Sequence, residues 1–176
     1  MQDPSGTPRR IAIVGNSGAG KSALARRLAE HHRLPVLELD AVVWEQSSIV
    51  AERPREAVLA EVDWFITAHE GWIVEGCYGD VIERTLARCT TLVFLNPGID
   101  VCLANNRRRP WEPHKHDTAA AQAAMLEDLL RWSAAYYTRH DAWSLSRHRR
   151  LFDAHTGPKI EITDLADLDD ALLSTL

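Results

Sequence analysis

Eight consecutive residues constrain this chain more than any others: Gly15-Asn16-Ser17-Gly18-Ala19-Gly20-Lys21-Ser22, which fit the pattern G-x-x-x-x-G-K-[ST]. The run Ile11-Ala12-Ile13-Val14 before them is short, apolar and partly β-branched, as expected of a strand buried on both faces. After them Leu24, Ala25, Leu28 and Ala29 recur at helical spacing, with Arg26, Arg27 and Glu30 on the opposite face. Strand, glycine-rich turn and helix in that order leave few folds open. The glycines let backbone N–H groups turn inward around an anion, and the following helix adds the positive end of its dipole. By the mechanics of this pattern, Lys21 reaches the β and γ phosphates of a nucleotide and the Ser22 hydroxyl ligates Mg²⁺. Gly15, Asn16, Ser17, Gly18, Ala19, Gly20, Lys21 and Ser22 are therefore the expected nucleotide-binding residues.

Further along, strands and helices alternate. Residues 1–8 read as a flexible lead-in, and Pro35 separates the first helix from a second strand over 36–40. Residues 41–53 read as a mixed connection. Pro54 then suits the first turn of a helix carrying Val58, Val62, Phe65 and Ile66 on one face. Gly71 ends that helix, and Trp72-Ile73-Val74-Glu75 reads as a third strand closing at Gly76. A short helix over 80–88 leads to a fourth strand, 91–95, closed by Asn96-Pro97-Gly98, and another helix spans about 100–108. Pro110 and Pro113 forbid regular helix between them. The alanine-rich run from about Thr118 to Tyr137 reads as the longest helix of the chain. A last strand over 159–163 precedes an acidic terminal helix over about 164–173. The expectation is a compact three-layer α/β domain, with five parallel strands joined by right-handed crossovers.

Composition narrows the partners. With 25 acidic against 20 basic residues and a formal charge of −5, the total argues against a strongly basic nucleic-acid binder. No apolar run approaches the length of a membrane span, and the first ten residues lack the apolar core of a signal peptide. Cys77, Cys89 and Cys102 form no C-x-x-C pair and read as reduced thiols in a cytoplasmic protein; no histidine has a partner at zinc-ligand spacing.

Other motifs select among nucleotide binders. A GTPase would carry D-x-x-G after the loop and N-K-x-D to read its base. Here D-x-x-G occurs only from Asp3 to Gly6, ahead of the loop, and N-K-x-D is absent. The fourth strand ends in Asn96 rather than the Asp of a transport or remodelling ATPase. The acids that end apolar strands are Asp40 and Glu75, and in a parallel sheet such positions lie at the edge where ligands bind. There they can hold the water shell of a metal or accept a proton from an attacking hydroxyl.

On these residues the chain resembles the small P-loop kinases of the adenylate kinase and shikimate kinase type. G-N-S-G-A-G-K-S is similar to their phosphate loop, and W-I-V-E-G-C-Y-G is similar to the third-strand segment of adenylate kinases. L-P-V-L-E-L-D-A-V-V-W resembles more closely a subgroup known as DNA topology modulation proteins. The resemblance implies a five-stranded parallel sheet in the order 2-3-1-4-5, a substrate-binding region at about 41–69 and a helical lid at about 107–118. It implies ATP and Mg²⁺ as cofactors, Asp40 near the acceptor hydroxyl, and Glu75 with Ser22 near the metal. Arg107, Arg108 and Arg109 would open the lid, with Arg107 and Arg139 on the transferring phosphoryl and Arg108 on the nucleotide. Trp44, Arg53 and Arg55 fall in the substrate region, and Trp111 and His114 fall in the lid. Two family features are missing: the arginine of the adenylate kinase D-G-F-P-R segment, and the glycine triplet that binds shikimate.

The leading expectation is an ATP-dependent phosphotransferase acting on a small-molecule or nucleotide acceptor, as a monomer or homodimer. The alternative is a nucleic-acid-associated P-loop ATPase, drawing on Arg107, Arg108 and Arg109 and on the cluster Arg147-His148-Arg149-Arg150. A catalytically slow nucleotide-binding module is a third.

Overall fold

The computed structural model describes residues 7–45, 51–112 and 117–176. Residues 1–6 of the lead-in, 46–50 of the substrate region, and 113–116 of the lid with His114 lie outside the described residues. Five parallel strands, β1 (Arg10–Gly15), β2 (Val36–Glu38), β3 (Trp72–Gly76), β4 (Thr91–Leu95) and β5 (Lys159–Ile162), form one sheet in the order β2-β3-β1-β4-β5. This is the strand order expected from the resemblance.

The period-two alternation of a strand divides the core between the two faces of the sheet. On one face Ala12, Val14, Trp72, Val74, Leu92 and Phe94 pack against α2 (Leu39–Val43), α3 (Arg55–Ala68) and α4 (Gly79–Thr85). On the other, Ile11, Ile13, Ile73, Val93 and Leu95 pack against α1 (Lys21–His32), and Cys102 of α5 (Ile99–Arg108) joins them. Fully burying each such aliphatic side chain contributes ~1.5–3 kcal/mol. The register sets Ile13 opposite Glu75 and Gly15 opposite Leu95, so β1 delivers the glycine-rich loop between the ends of β3 and β4. Among the described residues no helix is long and apolar enough to cross a membrane.

Four elements differ from the sequence expectation. β2 stops at Glu38, and Asp40 lies in the first turn of α2 rather than at a strand end. Leu39, Val42 and Val43 are all buried at i, i+3 and i+4, an apolar spacing that a helix satisfies and a strand does not. The alanine-rich run divides at Met125 into α6 (Ala119–Ala124) and α7 (Leu126–Ala135). α7 is anchored by buried Leu130 and Ser133, whereas α6 buries nothing and is held through Gln122, which accepts from Glu112 N and donates to Pro110 O. Helix α8 (Leu145–Ala154) has no counterpart in the sequence expectation. Ser144 caps it by accepting from Arg147 N, and it buries His148 and Leu151. The terminal helix becomes a 3₁₀ turn at Leu165–Asp167 followed by α9 (Asp170–Thr175). Asp164 and Asp169 each cap a separate start, and two competing caps divide one helix.

Candidate active site

The loop between β1 and α1 needs its glycines for space and for backbone conformation. A Cβ on Gly15 would stand 2.4 Å from Leu95 O, and one on Gly18 would stand 2.2 Å from Cys102 O. Gly18 (φ 76°) and Gly20 (φ 97°) also occupy the left-handed region. Lys21 Nζ folds across the loop and donates to Asn16 O at 2.8 Å. Outside the loop a set of buried side chains bolts it to α5 and α7. Asn16 Oδ1 accepts from Ser17 N at 2.8 Å, while Asn16 Nδ2 donates to Ser133 O at 2.9 Å. Asn106 Oδ1 accepts from Ser17 Oγ at 3.2 Å, Asn106 Nδ2 donates to Ser133 Oγ at 2.9 Å, and Asn105 Nδ2 donates to Gly18 O at 2.9 Å.

The acids lie beyond the loop. Ser22 Oγ donates to Glu75 Oε1 at 2.7 Å. Burial pushes the Glu75 carboxyl above its ordinary range, opposed by the Lys21 ammonium and the Ser22 hydrogen bond. Asp40 Oδ1 accepts from the Tyr78 hydroxyl at 2.8 Å, and that hydroxyl accepts from Trp44 Nε1 at 2.6 Å. Between the two acids, burial pushes the Cys77 thiol up to about 12, within the field of Lys21, Asp40, Glu75 and Arg139. Through Ser22 and Tyr78 the two acids are tied to the end of the glycine-rich loop and to the turn that follows β3. The backbone of that turn is held from behind by His148, which is fully buried. A carbonyl can only accept, so His148 Nε2 donates to Cys77 O at 2.8 Å and Nδ1 accepts from Tyr136 OH at 2.8 Å. Burial pushes this imidazole down to about 3, so it is neutral.

The arginines divide into committed and exposed groups. Arg139 is clamped: its guanidinium lies 3.8 Å over the Trp132 ring, Nη2 donates to Trp143 O at 2.7 Å, and Asp141 is 3.3 Å from Nε. Arg53 braces its own segment by donating to Val42 O at 2.9 Å and Glu61 Oε2 at 2.7 Å. Arg55 pairs with Asp80. Trp44 is half-buried against Trp143, with its N–H turned to Tyr78. Arg107 and Arg108 are exposed in the last turn of α5, whereas Arg109 donates to Asn106 Oδ1 at 2.9 Å. A cavity of about 230 Å³ opens beside them, lined by Asn106, Arg107, Arg109, Trp111, Gln122 and Leu126. Asn96 at the end of β4 donates to Glu161, which also holds Arg149 through both carboxylate oxygens.

Sequence reasoning missed Asn105, Asn106, Ser133, Tyr78 and His148. Only Tyr78 carried a local signal, directly after the strand that ends in Glu75-Gly76. The others act across long stretches of chain and have no motif.

A parallel 2-3-1-4-5 sheet, a G-x-x-x-x-G-K-S loop opening onto α1 and surrounding helices together define the P-loop kinase fold. Solved structures agree. The chain is similar to a shikimate kinase from Bacteroides thetaiotaomicron, at TM-score 0.59 and 18% identity over 95% of this chain and 93% of that one. It is similar to a gluconokinase from Sinorhizobium meliloti 1021, at TM-score 0.55 and 18% identity over 96% of this chain and 91% of that one. A sugar kinase from Janibacter sp. HTCC2649 matches at TM-score 0.54 and 17% identity, over 96% and 91% of the two chains. At such identities the likeness is one of fold, and none of the three is described as a DNA topology modulation protein. No protein-family model and no curated protein matches the chain.

Proposed function

We propose that this protein is an ATP-dependent phosphotransferase that moves the γ-phosphate of Mg·ATP to a small-molecule or nucleotide acceptor. The observation that carries the reading is a pair of acids set beside the glycine-rich loop: Glu75 accepts from Ser22 Oγ at the loop's end, and Asp40 accepts from Tyr78 on the turn after β3, while Gly15 and Gly18 leave no room for a Cβ. The loop amides and Lys21 would hold the nucleotide phosphates. Ser22 Oγ and the Glu75 carboxylate, 2.7 Å apart, offer the hard oxygen donors that Mg²⁺ takes. When bound, the metal supplies charge neutralisation on the phosphates.

Asp40 accepts the proton of the acceptor hydroxyl as that oxygen forms its bond to the γ-phosphorus and the bond to the ADP oxygen breaks. Arg139 and the exposed Arg107 and Arg108 supply positive charge toward the transferring group. Arg53, engaged with Glu61, would shape the acceptor side through its segment rather than by contact. The acceptors in the neighbours' names, shikimate and gluconate, belong in a first panel with nucleoside monophosphates. ADP release that depends on one acceptor and is abolished by Lys21→Ala supports the reading. ATP hydrolysis indifferent to every acceptor overturns it.

The nucleic-acid reading has less support. Of the two basic groups it drew on, Arg107 and Arg108 remain exposed, but in the second Arg147 pairs with Glu83 and Arg149 with Glu161. Steeply salt-dependent DNA retention would favour it.

A further inference from the structure

Tyr78 is only 3% exposed, and its ring packs within the core, yet its hydroxyl sits in a directed chain of hydrogen bonds. An indole N–H can only donate, so Trp44 Nε1 gives its proton to the Tyr78 oxygen at 2.6 Å. The phenol hydrogen is thereby sent onward to Asp40 Oδ1, 2.8 Å away. Burial and the neighbouring Asp40 push the phenol far above its ordinary range, so it remains a donor at any pH the protein experiences. Linked donors of this kind polarise one another, and the last bond, to a carboxylate, is the strongest.

The rings that carry this chain are fixed in place. Trp143 stands edge-on to Tyr78 at 5.5 Å and to Trp44 at 6.3 Å between centroids. Its carbonyl is held by Arg139 Nη2 at 2.7 Å. The next residue along, Gly79, donates from its N–H to Ala142 O at 3.0 Å, which pins the Tyr78 backbone to the same turn. A Cβ at Gly79 would stand 2.6 Å from that oxygen, so no other residue permits so close an approach.

We propose that Tyr78 is a positioning residue for phosphotransfer: its hydroxyl, polarised by Trp44, orients the Asp40 carboxylate toward the acceptor and favours its ionised form. The inference rests on the phosphotransferase reading for its catalytic meaning. A satisfied buried phenol with no such role would also be hydrogen-bonded, so the test must read Asp40 itself.

Tyr78→Phe keeps the ring and removes only the hydroxyl. With Mg·ATP and the panel acceptors, kcat should fall roughly 10- to 100-fold, the range of a hydrogen bond to a charged group. KM for ATP should stay within about twofold, because the phosphate loop is untouched. The acid limb of the pH profile should move to higher pH, since a carboxylate that loses a donor protonates more readily. Trp44→Phe should act in the same direction and more weakly. In an Asp40→Asn background, Tyr78→Phe should change the rate by less than about twofold, the signature of two residues acting as one. A second readout needs no turnover: the Asp40 carboxylate signal, followed by NMR in aspartate-labelled protein, should titrate at higher pH in Tyr78→Phe. An unmoved Asp40 titration in folded Tyr78→Phe overturns the proposal, and so does an unmoved pH profile. If the wild type shows no acceptor-dependent ADP release, the phosphotransferase reading and the catalytic part of this proposal fail together. A shifted Asp40 titration would then still establish the Tyr78–Asp40 coupling.

Discussion

On the proposed phosphate side of the site, residues 15–22 present their backbone from one unbroken stretch. The proposed acceptor side instead takes Asp40 from α2, Tyr78 from the turn after β3, and Arg139 and Trp143 from the connection between α7 and α8. Backbone recognition depends on φ angles and on the absence of a Cβ, which glycine supplies at once. Side-chain recognition depends on partners that reach one another only after the sheet and its helices have packed. The first kind tolerates few substitutions, because a Cβ has no room at Gly15 or Gly18. The second is rigid only while its buried hydrogen bonds are all satisfied.

That difference can be broken at several points. The largest effect on nucleotide affinity is expected at Gly18→Ala. A left-handed φ of 76° costs ~1–2 kcal/mol for a residue with a Cβ, and the new atom would meet Cys102 O at 2.2 Å. ATP affinity, measured by calorimetry, should fall by about tenfold or more, and thermal stability should drop with it. Next is His148→Ala behind the acceptor side, which leaves Tyr136 OH and Cys77 O without their buried partner. Chemical denaturation should show a loss of ~3–5 kcal/mol, from a cavity together with unsatisfied polar groups.

The same histidine gives a pH signature. Its folded pKa, about 3, lies below the 6.5 of the unfolded chain, so the unfolded state binds the extra proton between those values. Stability from this group is therefore complete above about pH 6.5 and declines as pH falls toward 3, by at most ~1.4 kcal/mol per unit. His148→Gln should be flatter than the wild type across that window in denaturation curves recorded against pH. Equal slopes would mean that the imidazole is not held neutral.

Asn106→Ala should have a smaller effect, since it removes that side chain's bonds with Ser17 of the loop, Ser133 and Arg109 and leaves the loop backbone intact. Nucleotide affinity should weaken several-fold and stability should fall by ~1–3 kcal/mol. If the effect equals that of Gly18→Ala, side chains govern the phosphate side as well, and the contrast fails. The smallest effect is expected at Arg149→Ala, whose partner is Glu161 rather than a residue of either side. Its pair with Glu161 is partly exposed and should contribute less than ~1 kcal/mol, readable as a small shift in melting temperature.

The legible part of this protein follows the same division. The phosphate loop, β1, α1, β4 and the buried face of α3 are all visible locally, because glycine tolerance, apolar runs and helical periodicity are properties of neighbouring residues. Asp40 and Glu75 were also legible as acids near strand ends, although Asp40 turned out to begin a helix, since Leu39, Val42 and Val43 bury better that way. The alanine-rich run looked like one helix because propensity is local. Its division falls at Met125, and α6 is tied through Gln122 to Pro110 and Glu112, contacts made only by folding. α8 was obscured because its basic residues resemble a solvated run, while Ser144, His148 and Leu151 carried its cap and its buried face.

Sequence alone therefore determined the glycine-rich loop between β1 and α1 and the alternating α/β framework. Each is written in short-range conformational preference, which does not need a partner. Only the tertiary structure decided that Asn16 meets Ser133, 117 positions away, that Trp44 and Tyr78 aim at Asp40, and that His148 holds the Cys77 backbone. Those pairings have no local pattern. They exist because two apolar faces of one sheet bury enough surface to bring distant polar side chains together, and burial then requires each of them to find a partner.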